Sequence, residues 1–196
     1  MKKVLLAVLV AGSLISVRAA IFQYTVALDG PTEGVASPGI GTGTVNYNNV
    51  NHLLQMQATF SGLLGTTTAA HIHAATASPF SGTAGVATQT PSFVGFPLGV
   101  TSGSFSNTLD LTQAASWNPS YVTAHGGTTA TAEADFVAAI AAGQAYFNIH
   151  SSSFGGGEIR GFLVAVPEPG TLALAGLGVA GLAARGWRRK RWANKS

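Results

Sequence analysis

The chain contains no cysteine, which excludes disulfides, thiolate metal sites and cysteine nucleophiles. Charge is also scarce, at 9% of residues against 46% hydrophobic ones. Between Ala20 and Val166 the only cation is Arg160, opposed by Asp29, Glu33, Asp110, Glu133, Asp135 and Glu158, so this region carries a net charge of −5. The overall +3 arises at the two ends, which hold the other nine Lys and Arg residues. With no basic patch in the middle, nucleic-acid binding has no electrostatic support. Neither apolar run reaches the roughly 20 residues of a comfortable membrane span. A length of 196 residues accommodates one ordinary domain plus terminal signals.

Those signals are present at both ends. Lys2 and Lys3 precede an apolar run over residues 4–17, and Val17 and Ala19 take the small-residue places before a cleavage point. This order predicts a signal peptide over residues 1–19, cut by signal peptidase after Ala19. At the far end, residues 171–184 are uncharged and rich in Leu, Ala and Gly, and residues 185–191 hold four Arg and one Lys. That basic cluster stays on the cytoplasmic side of a membrane. With Lys2 and Lys3 also inside, the middle of the chain is placed across it. Val166-Pro167-Glu168-Pro169 stands just before the apolar run, where two prolines hold the backbone extended and deny it helical hydrogen bonds.

Together these three parts, over residues 166–191, resemble the PEP-CTERM sorting signal of Gram-negative bacteria. The resemblance implies that an exosortase in the inner membrane reads the Pro167, Glu168, Pro169 motif and that the transmembrane helix is transient. It places the mature protein at the cell surface or outside the cell. An uncut tail would instead make the chain a resident inner-membrane protein.

Between the signals, Tyr24, Val26 and Leu28 alternate with polar neighbours, as do Leu54, Met56, Ala58 and Phe60. Such period-two patterning reads as half-buried strands. Gly30-Pro31, Ser37-Pro38-Gly39 and Gly126-Gly127 supply turns. Further strands are expected near residues 69–74, 103–109, 145–150 and 158–164. Residues 133–143 read as one short helix, with early acidic residues and a terminal Gly. Residues 78–99 read as loop. The sum is a mainly β domain over residues 20–165, an antiparallel β-sandwich of immunoglobulin-like or superoxide-dismutase-like type with one short helix.

Four blocks in this region, Phe60-Ser61-Gly62-Leu63, Ala70-His71-Ile72-His73, Gly143 to His150, and Gly156-Gly157-Glu158-Ile159-Arg160-Gly161, resemble the CHRD domain, named from chordin. They fall in family order. The chain departs from the pattern in a low-complexity stretch at residues 116–131 and in Ala74-Ala75, where a Gly commonly follows the histidine pair. The resemblance implies a surface or matrix protein without a defined enzymatic activity.

His71 and His73, two apart in an expected strand, face the same side, and His150 lies in another strand. Three neutral imidazoles so placed can bind copper or zinc. The same pattern also serves a packed polar seam whose rings bond backbone, and spacing does not choose between the two. The His-x-His strand is locally similar to copper-zinc superoxide dismutase, but the disulfide, the metal-bridging His and the zinc Asp are not evident. Glu158 and Arg160, also two apart, would share a strand face, where Arg160 is expected either to form a partly buried ion pair with Glu158 or to clamp a backbone carbonyl. No Gly-x-Ser-x-Gly elbow and no phosphate-binding glycine loop is present. No residue pattern names a matrix polysaccharide or a surface partner. Intact-mass spectrometry of the protein recovered from cells and medium is expected to show a species starting at Ala20 and lacking everything after the Pro-Glu-Pro region. A tail found uncut in every fraction would overturn the sorting reading.

Overall fold

The computed structural model describes residues 20–167. The expected signal peptide with its cleavage after Ala19, Glu168 and Pro169 of the sorting motif, and the apolar and basic segments after them lie outside the described residues. Pro167 is described and exposed. Among the described residues, no helix is long and apolar enough to cross a membrane.

Strands β1 (Ile21–Asp29), β2 (Ile40–Asn48), β3 (Leu53–Ser61) and β5 (Gly103–Asp110) make one half of the sheet. The other half is built from β4 (Thr67–His73), β6 (Tyr146–Ser151) and β7 (Ile159–Phe162), and the two-residue β8 (Val164–Ala165) pairs with β1. The order β4-β6-β7-β1-β2-β3-β5 is continuous, and every pairing is antiparallel. The mainly β, antiparallel architecture is as expected, and in place of a sandwich of stacked sheets the strands form one continuous sheet that curls on itself. Its continuity depends on β7 closing against β1. Gly161 allows this, because a Cβ there would strike the Ala27 carbonyl of β1. Curling brings distant strands to one core: Phe93, on the β4–β5 connection, stacks 5.5 Å from Phe105 of β5 and lies 5.6 Å from Phe147 of β6.

The period-two residues behave as their spacing demands. Tyr24, Val26, Leu28, Leu54, Met56, Ala58 and Phe60 are all buried in the core, and their polar neighbours Gln23, Thr25, Gln55 and Gln57 face solvent.

The α-helices number three among the described residues rather than one: α1 (Gly30–Glu33), α2 (Pro119–Ala124) and α3 (Thr129–Ala141), with a 3-10 turn at Ala114–Ser116 besides. The first is a single turn, capped by the Asp29 side chain accepting from Thr32 N at 2.6 Å. The stretch read as low-complexity contains α2 and the start of α3. Asn118 caps α2 ahead of Pro119 at its first position, a pairing of cap and proline that suits a helix start. Thr128 and Thr131 cap α3 reciprocally, which begins it four residues before the expected Glu133. Phe136 of α3 then buries its ring edge-on against Trp117, at 5.4 Å. The strand expected over residues 158–164 is split, because Leu163 N turns away to bond Ala145 O at 3.0 Å.

Strands β4 and β6 are covered on both faces. Ala70, Ile72, Phe147 and Ile149 enter the hydrophobic core from one face, and the opposite face carries His71, His73, Tyr146 and Asn148, also buried.

Of the two roles expected for Arg160, the ion pair with Glu158 does not form, whereas the hold on a backbone carbonyl does. Arg160 Nε donates to Thr32 O at 2.6 Å and lies 3.4 Å from Glu33 Oε2, both on α1. Glu158, fully buried just before β7, instead accepts from the Ser37 hydroxyl at 2.7 Å, from Gly65 N at 3.1 Å and from Leu64 N. Backbone N–H groups and hydroxyls satisfy this carboxylate without a cation, leaving the guanidinium to α1.

Burial works against the charged form of Glu158, but hydrogen bonds from the Ser151 and Ser37 hydroxyls and from Leu64 N and Gly65 N outweigh it and hold the carboxyl below its ordinary value of 4.5. The contribution to stability is full above that ordinary value and is lost as pH falls through the lower folded-state one. Glu158→Gln, which turns an amide donor toward N–H groups, is expected to cost about 3 kcal/mol in urea unfolding at pH 7. The deficit should shrink in acid, and an unchanged midpoint at pH 7 would refute this role.

Candidate metal centre

Antiparallel register fixes which side chains share the second buried face. His73 of β4 pairs with Tyr146 of β6, which pairs with Phe162 of β7. One step along, His71 pairs with Asn148 and Asn148 with Arg160, and one step further Ala69 pairs with His150. Residues two apart on a strand face the same way, so three histidines, a tyrosine, an asparagine and the domain's sole arginine line one seam.

The three imidazole rings converge there, with centroids 5.1 Å apart for His71 and His150 and 5.8 Å for the other two pairs. Each ring commits one nitrogen to a backbone carbonyl. His71 Nε2 meets Pro91 O at 2.7 Å, His73 Nδ1 meets Ala84 O at 2.9 Å, and His150 Nδ1 meets Gly155 O at 3.0 Å. A carbonyl only accepts, so each of these nitrogens carries the proton and the other nitrogen of each ring presents a lone pair. Those remaining atoms, His71 Nδ1, His73 Nε2 and His150 Nε2, are buried and have no hydrogen-bond partner.

One ligand nitrogen from each ring lies within 4.8 Å of the others. At that largest spacing a central ion would stand about 2.8 Å from each nitrogen. An inward shift of about 0.7 Å brings it to the roughly 2.0–2.1 Å of an imidazole–metal bond. The carbonyls fix tautomer and ring direction, the task that outer partners perform around metal-bound histidines.

Burial pushes all three histidines below the ordinary 6.5, His73 to about 4. The carbonyl hydrogen bonds oppose the shift, while His150 and His71 add to it at His73, as does Arg160. The rings are therefore neutral at pH 7, with lone pairs free.

Around them, Tyr146 stacks on His73 at 4.8 Å and 9°, and its hydroxyl contacts both N (3.2 Å) and O (3.3 Å) of Ala84. Arg160 lies 4.9 Å over the same ring. Of the seven buried side-chain polar atoms without partners among the described residues, six belong to this seam and to Glu33 beside it.

The remaining histidines sit elsewhere. His52 Nδ1 lies 2.9 Å from the buried carboxylate of Glu133, which also accepts from the Tyr47 hydroxyl at 2.7 Å. Burial and this carboxylate raise the Tyr47 pKa. His125 Nδ1 lies 2.8 Å from Asp135. Spacing alone singled out the three seam histidines. It missed Tyr146 and Asn148, whose alternation in β6 with Phe147 and Ile149 was the available signal, and the carbonyls of Ala84, Pro91 and Gly155, for which side-chain patterning gives none.

A depressed histidine pKa makes the unfolded chain bind more protons than the folded one. Stability is thus greatest above 6.5 and declines as pH falls toward the folded-state values, by up to about 1.4 kcal/mol per pH unit for each histidine. Urea midpoints are expected to drop between pH 7.5 and 5, and a His71→Gln, His73→Gln, His150→Gln variant is expected to flatten that slope. A flat wild-type profile would contradict the buried neutral rings.

Comparison with known proteins adds the family. No curated protein matches the chain, and no solved structure does. A PEP-CTERM protein-sorting motif matches residues 165–190, which marks the chain as a Gram-negative bacterial protein for export and for membrane-associated processing by an exosortase. A CHRD domain model matches residues 24–163, well over half of the chain and the whole of the seam. The chain belongs to the CHRD domain family, carried on an exosortase-sorted, exported protein.

Proposed function

We propose that this is a non-enzymatic protein of the cell surface or extracellular matrix whose CHRD domain holds one transition-metal ion between His71, His73 and His150. The carrying observation is that the three imidazoles converge, one nitrogen of each within 4.8 Å of the others, and that each ring keeps a buried nitrogen with no partner. A buried polar atom left unpaired costs free energy, and three acceptors facing one another cannot satisfy themselves. They need a donor or a cation. Imidazole is a ligand for copper and zinc alike. Among the described residues the metal-type cluster is made of histidines alone, without carboxylate or thiol, and the role proposed for it is binding.

The purified full chain, stripped of metal and titrated calorimetrically with copper or zinc, is expected to bind one equivalent. At a thousandfold excess of ion over Kd, unfolding should become harder by about 4 kcal/mol. A His71→Ala, His73→Ala variant is expected to lose at least 100-fold in affinity. Equal binding by wild type and variant, or none by either, would overturn the reading.

A further inference from the structure

The charge of the seam carries a choice of ion. All three free histidine nitrogens are uncharged, and so is Asn148 Oδ1, the neighbouring buried acceptor without a partner. The carboxylate in the seam belongs to Glu33, and Arg160 already lies 3.4 Å from it. With β6 between β4 and β7, Tyr146 is held between His73 on one side, at 4.8 Å, and the guanidinium on the other, at 4.9 Å. An ion at the three nitrogens thus meets neutral ligands, and the charged pair beside them, Glu33 and Arg160, sums to zero.

Resting on the reading of these histidines as a metal site, we propose that the site selects cuprous copper, Cu(I), over zinc and cupric copper. Taking an ion out of water costs free energy in proportion to the square of its charge, so a divalent ion costs roughly four times as much as a monovalent one in the same place. Divalent sites ordinarily offset that cost with thiolates, carboxylates or a bound hydroxide. None is supplied by the cluster here. Coordination number points the same way. Zinc takes four ligands, and where three are histidines the fourth is water or substrate. The three nitrogens in this seam are closed to solvent, which leaves a three-coordinate neutral cage. A monovalent d10 ion is content with that cage. Among ions that imidazole binds, copper has such a state.

The test is an anaerobic competition titration of the full chain against colorimetric chelators for Cu(I), Zn(II) and Cu(II). Cu(I) is expected to bind in one equivalent, at least 1,000-fold more tightly than Zn(II). X-ray absorption of the copper form should show a cuprous edge and three nitrogen ligands. Asn148→Asp, nearly isosteric, places one negative charge in the seam and is expected to narrow the preference for Cu(I) over Zn(II) at least tenfold. Zn(II) or Cu(II) binding as tightly as Cu(I), a fourth ligand in the absorption spectrum, or a folded Asn148→Asp protein with an unchanged preference would each overturn the proposal while leaving a metal site in place. Binding of no ion would overturn the metal reading and this proposal together.

Discussion

One guanidinium joins the two halves of the sheet. Arg160 stands at the register point where β7 meets β1, opposite Asp29. Its Nε holds the Thr32 carbonyl, so α1 is pinned over the junction, and its planar head covers Tyr146, which in turn covers His73. A lysine could not repeat this, because stacking and directed donation from a fixed plane are properties of the guanidinium. The domain contains a single cation in the described sheet, and it is spent at the place where the curl closes and the histidine face begins.

The family resemblance and the geometry meet at the same residues. The blocks around His71, around Tyr146 and His150, and around Glu158 and Arg160 are separate in sequence. Pairing of β4 with β6 and of β6 with β7 sets them side by side. Three of the four blocks that carry the CHRD resemblance thus build the seam, and the fourth, Phe60 to Leu63, lies at the end of β3 and packs in the core.

Sequence reasoning reads well where burial is one-sided. In β1 and β3 the alternation of apolar and polar residues is set by one wet face, so residues such as Val26 and Met56 could be placed inside without a structure. It reads poorly where both faces are covered: β4 and β6 keep their alternation, but the polar face with His71, His73, Tyr146 and Asn148 is buried instead of wet. The two-residue spacing of His71 and His73 still put both rings on one side. Nothing in the sequence could say that Arg160 would find Thr32, 128 positions away, instead of its neighbour Glu158. That choice is made by the turn preceding β7, which gives Glu158 to Ser37 and the Leu64–Gly65 backbone. The single sheet was hidden for a similar reason, since it depends on the absence of one methyl group at Gly161.

The carbonyls that aim the three rings come from the connections between strands: Ala84 and Pro91 from the long one after β4, Gly155 from the one after β6. The three lone-pair nitrogens held in this way are closed to water while those segments are in place, although the His150 ring is only half-buried. For the proposed ion, traffic is then governed by how often they lift, and residence time becomes a property of loop opening as much as of ligand strength. Every 1.4 kcal/mol of loop stability lengthens that time about tenfold. Substitutions in residues 75–91 that leave the Ala84 and Pro91 carbonyls in place can then change how quickly the proposed site exchanges with its surroundings while the equilibrium preference stays the same.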